Sequence, residues 1–207
     1  MIRTEYHDPS WVFPFVAYAP EKAGGKLPLI VQLHGAGERG SGGDDPKLVD
    51  VHGFSHILKE QEYPCIVIMP QCPRETFWAA RVESILKLID QLTAAFPVDP
   101  AAVYLTGLSM GGFGTWYTAM AAPDRFRAIA PVCGGGMGWN ARVLNMPIWA
   151  FHGAEDKTVD PRHSDEMVAA LQAAGKDITY TRMEGVGHNV WVHAYTDTLM
   201  QWFLRNR

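Results

Sequence analysis

The stretch Val103-Tyr104-Leu105-Thr106-Gly107-Leu108-Ser109-Met110-Gly111-Gly112 decides how this chain is read. Its first four residues predict a short buried strand, and Phe113–Ala122 beyond it predicts a helix. Gly-x-Ser-x-Gly at such a junction is the pattern of a nucleophile elbow. The turn is so sharp that side chains at the flanking positions would clash, so glycine stands there. Ser109 is then held strained, with its hydroxyl lifted above a sheet. The helix that follows aims its N-terminus at the same point, which favours developing negative charge.

A serine hydroxyl is a weak nucleophile. It needs a base, and the base needs an acid to orient it. In this architecture the chain order is serine, acid, histidine. The strand Ile148–His152 runs into Gly153-Ala154-Glu155-Asp156, and the strand Ile178–Met183 runs into Glu184-Gly185-Val186-Gly187-His188. Asp156 follows Ser109 by 47 residues, and His188 follows Asp156 by 32. Both fall on loops at carboxyl ends of strands, the rim where open α/β sheets carry their sites. Asp160 stands before Pro161 as an N-cap, and the Glu155 side chain should point elsewhere, so Asp156 is the expected acid. His193 is the alternative base, but it is expected to open the last helix.

An oxyanion needs two backbone N–H donors. One is expected from Met110, directly after the serine. The other is expected from Ala36, in the loop His34-Gly35-Ala36-Gly37-Glu38-Arg39-Gly40. His34 reads as a structural loop residue. Gly35, Gly37 and Gly40 imitate a dinucleotide-binding fingerprint, but Ser41-Gly42-Gly43-Asp44-Asp45-Pro46 follows, where no helix is expected to open. His52 and His56 are four apart, yet Gly53 follows His52 and no third ligand is evident, so they read as a surface pair. No metal and no cofactor are expected.

Composition agrees with a packed core. The 207 residues are 47% hydrophobic and 11% aromatic, with 18 basic against 22 acidic side chains and a formal charge of −4. A chain of this length buries roughly 70% of its unfolded surface. Mild acidity without a Lys/Arg block argues against a nucleic-acid partner. Cys65, Cys72 and Cys133 make an odd count in apolar surroundings and read as buried free thiols, a Cys65–Cys72 bridge being the alternative. Pro100–Pro123 is uncharged but too rich in Gly, Thr and Ser for a membrane span. No basic region followed by an apolar core opens the sequence, so a cytoplasmic location is expected, or a secreted one if a signal was trimmed.

Short apolar runs alternate with helix-period segments, the mark of a mostly parallel sheet. Seven strands are predicted, at Val12–Ala19, Leu29–His34, Cys65–Met69, Val103–Thr106, Ala128–Cys133, Ile148–His152 and Ile178–Met183. The first holds Pro14 and should lie at an edge. Helices are expected over the Trp78–Phe96 periodicity, after Asp160-Pro161, and around Leu199, Trp202 and Phe203. A weak one is expected near Leu48–Lys59.

With these residues in hand, the chain resembles the α/β-hydrolase superfamily. More narrowly, it resembles the phospholipase/carboxylesterase and dienelactone-hydrolase-like branch with its "predicted peptidase" esterases. The matching strings are Leu33–Gly40, Pro70-Gln71-Cys72-Pro73, Gly107–Gly112, Pro131–Gly136, Phe151–Asp156 and Gly187-His188-Asn189. The resemblance implies one α/β-hydrolase domain over 1–207, a triad of Ser109, Asp156 and His188, and oxyanion donors at Ala36 and Met110. Dienelactone hydrolases proper use cysteine where Ser109 stands, which argues against that chemistry. Many relatives insert a lid between the positions of Cys133 and Ile148, where this chain has only about fifteen residues. An open site is therefore expected, suited to short-chain esters or exposed esters of a larger, glycan-linked substrate. Trp139 and Trp191 are candidate walls of that site, and Trp78 a third, unless they serve packing. A peptidase or amidase on the same residues, or a non-catalytic binding protein of this fold, are the alternatives.

Overall fold

The computed structural model describes residues 1–22, 24–40 and 46–206. Eight strands form one sheet: β1 (Ile2–Tyr6), β2 (Phe15–Ala19), β3 (Leu27–Leu33), β4 (Ile66–Pro70), β5 (Val98–Leu108), β6 (Ala128–Val132), β7 (Ile148–Gly153) and β8 (Ile178–Met183). Their order is β1-β2-β4-β3-β5-β6-β7-β8. The pairs β1/β2 and β2/β4 are antiparallel, and every other pair is parallel.

Among the described residues, six α-helices accompany it: α1 (Ser55–Glu60), α2 (Val82–Ala95), α3 (Met110–Ala121), α4 (Arg162–Ala173), α5 (Trp191–Ala194) and α6 (Asp197–Arg205). Alternate residues of each central strand serve opposite faces. Leu29, Val31 and Leu33 face a core built with Ile85, Leu88 and Leu92 of α2, Trp116 of α3, and Met167 and Leu171 of α4. Ile30, Val67 and Tyr104 face the other core, with Leu58 of α1 and Leu199, Met200 and Phe203 of α6. Two buried faces explain why these strands read as continuous apolar runs rather than alternating ones.

Several expectations need correction. The edge strands are β1 and β8, not the strand near Pro14, which precedes β2 and leaves it paired on both sides. Strand β1 carries Arg3, Thr4 and Glu5 and was not anticipated, because an edge strand needs little apolar surface. Strand β5 begins at Val98, five residues early, where Val98 pairs with Leu27 and a register shift follows. The last helix opens at Asp197, so His193 belongs to the separate short turn α5. Residues 41–45, where no helix was expected to open, lie outside the described residues. All three cysteines are free and buried, which rules out the Cys65–Cys72 bridge.

Between β6 and β7 there is one short 3-10 turn, Gly138–Val143, and no inserted lid. Among the described residues no helix is long and apolar enough to cross a membrane.

Candidate active site

Strand β5 delivers Ser109 to the carboxyl edge of the sheet. Its backbone has φ 53° and ψ −114°, a left-handed-side conformation that a non-glycine residue adopts only under constraint. The constraint is visible. Ser109 N–H donates to Val132 O on β6 at 2.9 Å, and Ser109 O accepts from Phe113 N–H at 3.1 Å. The turn is so tight that a Cβ at Gly107 would stand 2.4 Å from Gly111 O, and one at Gly111 would stand 2.1 Å from Leu33 O. Any side chain at either position would strike backbone.

The loops after β7 and β8 run against each other. Ala154 N–H donates to Met183 O at 2.8 Å, and Glu155 N–H donates to Val186 O at 3.0 Å. This pairing sets Asp156 beside His188. His188 Nδ1 lies 2.7 Å from Asp156 Oδ2, and His188 Nε2 lies 3.0 Å from Ser109 Oγ. Asp156 Oδ1 accepts from the N–H groups of Thr158 and Val159 at 2.8 and 2.9 Å. Burial pushes the Asp156 carboxyl up, but His188 and the two backbone donors outweigh it and hold it below its usual range. Glu155 is exposed, and Asp160 spends its carboxylate on the start of α4, accepting from Arg162 N–H at 3.0 Å.

The loop after β3 passes directly beside the serine. A Cβ at Gly35 would lie 3.8 Å from Ser109 Cβ. Three side chains clamp this loop. Arg39 Nε donates to Ala36 O at 2.9 Å, and its Nη1 reaches Arg74 O and Thr76 O at 3.1 and 3.3 Å. Gln71 Nε2 donates to Glu38 O at 3.1 Å. His34 Nε2 accepts from Cys72 N–H at 2.9 Å, so its proton sits on Nδ1, which donates to Gly35 O at 2.5 Å. Burial lowers the His34 pKa to about 4, so the ring is neutral and its approach to Glu38 at 3.8 Å is not an ion pair. Arg39 and Gln71 stand in strings quoted from the sequence, but no role was assigned to them, because the contacts of long side chains with residues distant along the chain carry no local signal.

The tryptophans separate. Trp78 is fully buried, with Nε1 donating to His34 O at 3.0 Å, so it supports the loop from beneath and is no wall of the site. Trp139 stands 79% exposed on the Gly138–Val143 turn. Trp191 packs edge-on against His188, ring centres 5.2 Å apart. His152 is buried behind the acid, its Nε2 3.3 Å from Asp156 Oδ2.

Among the described residues, one group with metal-like spacing is Cys133, Asp156 and His188, whose ligand atoms lie within 4.8 Å of one another. Burial pushes the Cys133 thiol up to about 12, which keeps it protonated and a poor ligand. Asp156 and His188 meanwhile already serve each other.

Comparison with known proteins accords with this geometry. A thermostable esterase of known structure superimposes with a TM-score of 0.81 at 29% identity, over 99% of this chain and 62% of that chain. A feruloyl esterase module from Clostridium thermocellum shares the fold at 15% identity, with a TM-score of 0.72 over 96% of this chain and 86% of that one. The fold is that of the α/β hydrolases. Residues 73–204 match the family model described as phospholipase/carboxylesterase, and the chain belongs to that family. Among curated proteins it is 26% identical to a bifunctional acetylxylan esterase/xylanase of Neocallimastix patriciarum, over 69% of this chain and 21% of that protein. It is 31% identical to feruloyl esterase B of Neurospora crassa, over 56% of this chain and 42% of that protein. The chain thus spans about a fifth and about two-fifths of the length of these curated relatives.

Proposed function

We propose that the protein is a serine carboxylesterase acting on short-chain or exposed esters. The observation that carries this reading is the relay from Asp156 through His188 to Ser109, with contacts of 2.7 and 3.0 Å. Ser109 Oγ attacks the ester carbonyl while His188 Nε2 takes its proton. Asp156 holds the His188 proton on Nδ1 and stabilises the imidazolium that forms. The N–H groups of Ala36 and Met110 receive the oxyanion. His188 then protonates the leaving alcohol, and water releases the acyl group by the reverse sequence. Written this way, the reaction needs no cofactor.

We read the chain as one catalytic domain, with a small ester or a glycan-linked ester as substrate. The similarity to acetylxylan and feruloyl esterases supports that class. The Gly138–Val143 turn is too short to close over a bound acyl chain, which supports an open site. One relative, from Arthroderma benhamiae, is described as secreted, and cell fractionation decides the compartment of this protein.

The test is hydrolysis of p-nitrophenyl acetate, butyrate, octanoate and palmitate, with Ser109→Ala in parallel. Acetate and butyrate should turn over faster than palmitate, without a rate jump at the solubility limit of the long ester. Ser109→Ala should fold normally and lose at least about 10⁴-fold in rate. A retained rate in that variant overturns the assignment. Silence on all four esters with covalent labelling by a serine-directed phosphonate moves the reading to amide hydrolysis or to a bulky glycan or aryl ester, which a peptide and feruloyl-ester panel separates. Silence with no labelling points to a binding protein.

A further inference from the structure

His152 is fully buried near the end of β7, and the relay from Asp156 to Ser109 gives it no part. We propose that His152 is a positioning residue for that relay: its Nε2–H donates to the same Asp156 oxygen that accepts from His188, and so sets the charge that His188 meets. The proposal rests on the reading of Ser109, His188 and Asp156 as one relay.

The placement of protons fixes the direction. His152 Nε2 lies 3.0 Å from Val159 O and 3.3 Å from Asp156 Oδ2. A carbonyl and a carboxylate have no proton to give, so a lone pair on Nε2 would face two acceptors. His152 Nδ1 lies 2.7 Å from Ser164 Oγ, which can donate. Ser164 Oγ also lies 2.8 Å from Gly134 O, and its one proton serves one of these contacts. With the ring proton on Nε2, one contact of the set lacks a proton; with it on Nδ1, two do. Burial holds the ring below its ordinary range and so neutral, with one proton to place. That proton sits on Nε2, shared between Val159 O and Asp156 Oδ2.

Asp156 has a place for it. A carboxylate offers about four lone-pair positions. Oδ1 accepts from the N–H groups of Thr158 and Val159 at 2.8 and 2.9 Å, and Oδ2 accepts from His188 Nδ1 at 2.7 Å. His152 fills the fourth position. Val159 ties the set together, giving its N–H to Oδ1 and its carbonyl to His152. Ser164, on α4, carries the network on to Gly134, two residues past the Val132 whose carbonyl anchors Ser109 N–H.

The surrounding charges are engaged elsewhere. Asp165 of α4 adds negative potential at His152, but it accepts from Tyr180 at 2.7 Å and faces Arg182 at 3.6 Å. Arg182, opposite His152 on β8, also pairs with Glu184 at 2.8 Å. Cys133, just past β6, stays protonated, and Glu155 is exposed. Asp156 is the charge that touches the ring. Sharing Oδ2 between two donors dilutes the charge at His188 Nδ1. Removing the second donor concentrates it and favours the imidazolium.

Two measurements test this. The first is the pH profile of kcat/KM for p-nitrophenyl acetate in the wild type, His152→Leu and His152→Gln. In His152→Leu the acid limb should move up by about half a pH unit, and the plateau kcat should fall about tenfold with KM within about threefold. His152→Gln, whose amide nitrogen can stand near Nε2, should return both toward the wild type. A fall in kcat with the limb unmoved, or moved to lower pH, makes His152 a packing residue and overturns the proposal. The second measurement follows the histidine rings by heteronuclear NMR, which needs no turnover. In the wild type the His152 proton should appear on Nε2; a proton on Nδ1 overturns the proposal even where both variants fail to fold. In His152→Leu the midpoint of the His188 titration should rise by about half a pH unit. An unmoved midpoint overturns the proposal and leaves the esterase reading standing. A raised midpoint in a protein that hydrolyses no ester upholds the His152–Asp156 contact while the esterase reading alone fails.

Discussion

His34 sits at the end of β3 and carries two hydrogen bonds that fix its tautomer. The carbonyl it donates to, Gly35 O, belongs to the same peptide unit as the Ala36 N–H. Holding the carbonyl on one side aims the N–H to the other, and polarises it as a donor. His34→Leu should therefore lower kcat about 100-fold with KM within about threefold, the loss expected for one oxyanion donor. His34→Asn, whose amide nitrogen can stand near Nδ1, should recover much of kcat. An unchanged kcat in a folded His34→Leu protein would remove this role. The same residue sets an acid limit. Its folded pKa of about 4 lies below the ordinary 6.5, so the unfolded chain takes up the proton first. Stability is full above pH 6.5, falls as the pH drops toward 4, and levels beyond it, by about 3 kcal/mol in all. Urea melts across that window should show a shallower slope in His34→Leu than in the wild type, the remainder coming from the buried His152, which burial also holds below its ordinary range.

At the scale of elements, β1 was the strand that sequence reading lost. Five residues with an arginine, a threonine and a glutamate have no apolar run to detect. Its stability comes from partners distant in the chain. Tyr6 stacks on Phe15 at 4.6 Å and meets the edges of Trp11 and Phe96 at 6.2 and 5.6 Å. Arg3 pairs with Asp50 at 2.6 Å, and Tyr18 donates to the same carboxylate at 2.6 Å. Tyr6→Ala should cost about 2 kcal/mol, measurable by denaturant melt, because it removes one ring from a four-ring cluster at the sheet edge. Esterase activity below the transition should persist, since β1 lies at the end of the sheet far in order from β5. Strands β3, β4, β6 and β7 were legible because their residues are apolar on both faces, and the edge strand β8 because its β-branched and aromatic residues favour extended backbone. The shift of β5 back to Val98 was not, since Asp99 and Pro100 are poor strand formers that pairing with β3 overrides.

For the whole molecule, the sheet leaves each cysteine inside one of its two cores. Cys65 and Cys133 lie on the α1/α6 face, and Cys72 on the α2/α3/α4 face. Burial pushes the Cys72 thiol up to about 11, and Cys133 higher still. The folded protein should therefore react with Ellman's reagent at essentially none of its three thiols, and at all three in denaturant. Fast reaction of one thiol in the native protein would contradict the packing described. Cys133 also has φ 41°, a second non-glycine residue on the left-handed side, directly after the strand that anchors Ser109 N–H. Both strained residues therefore lie at the carboxyl edge of the sheet, where a well-packed core can hold them.

The sequence by itself determined the class of fold, the elbow, and the order and loop positions of Ser109, Asp156 and His188. These are local facts: apolar runs, glycines where no Cβ fits, and strand ends that share one rim. Only the tertiary structure decided which tryptophan stands by the site. It buried Trp78 beneath His34, left Trp139 in solvent and set Trp191 against His188. It also decided the clamps of Arg39 and Gln71 and the pairing of His52 with Glu38. Such contacts join residues far apart in sequence, and no local pattern encodes which of several equivalent side chains the folded chain brings within reach.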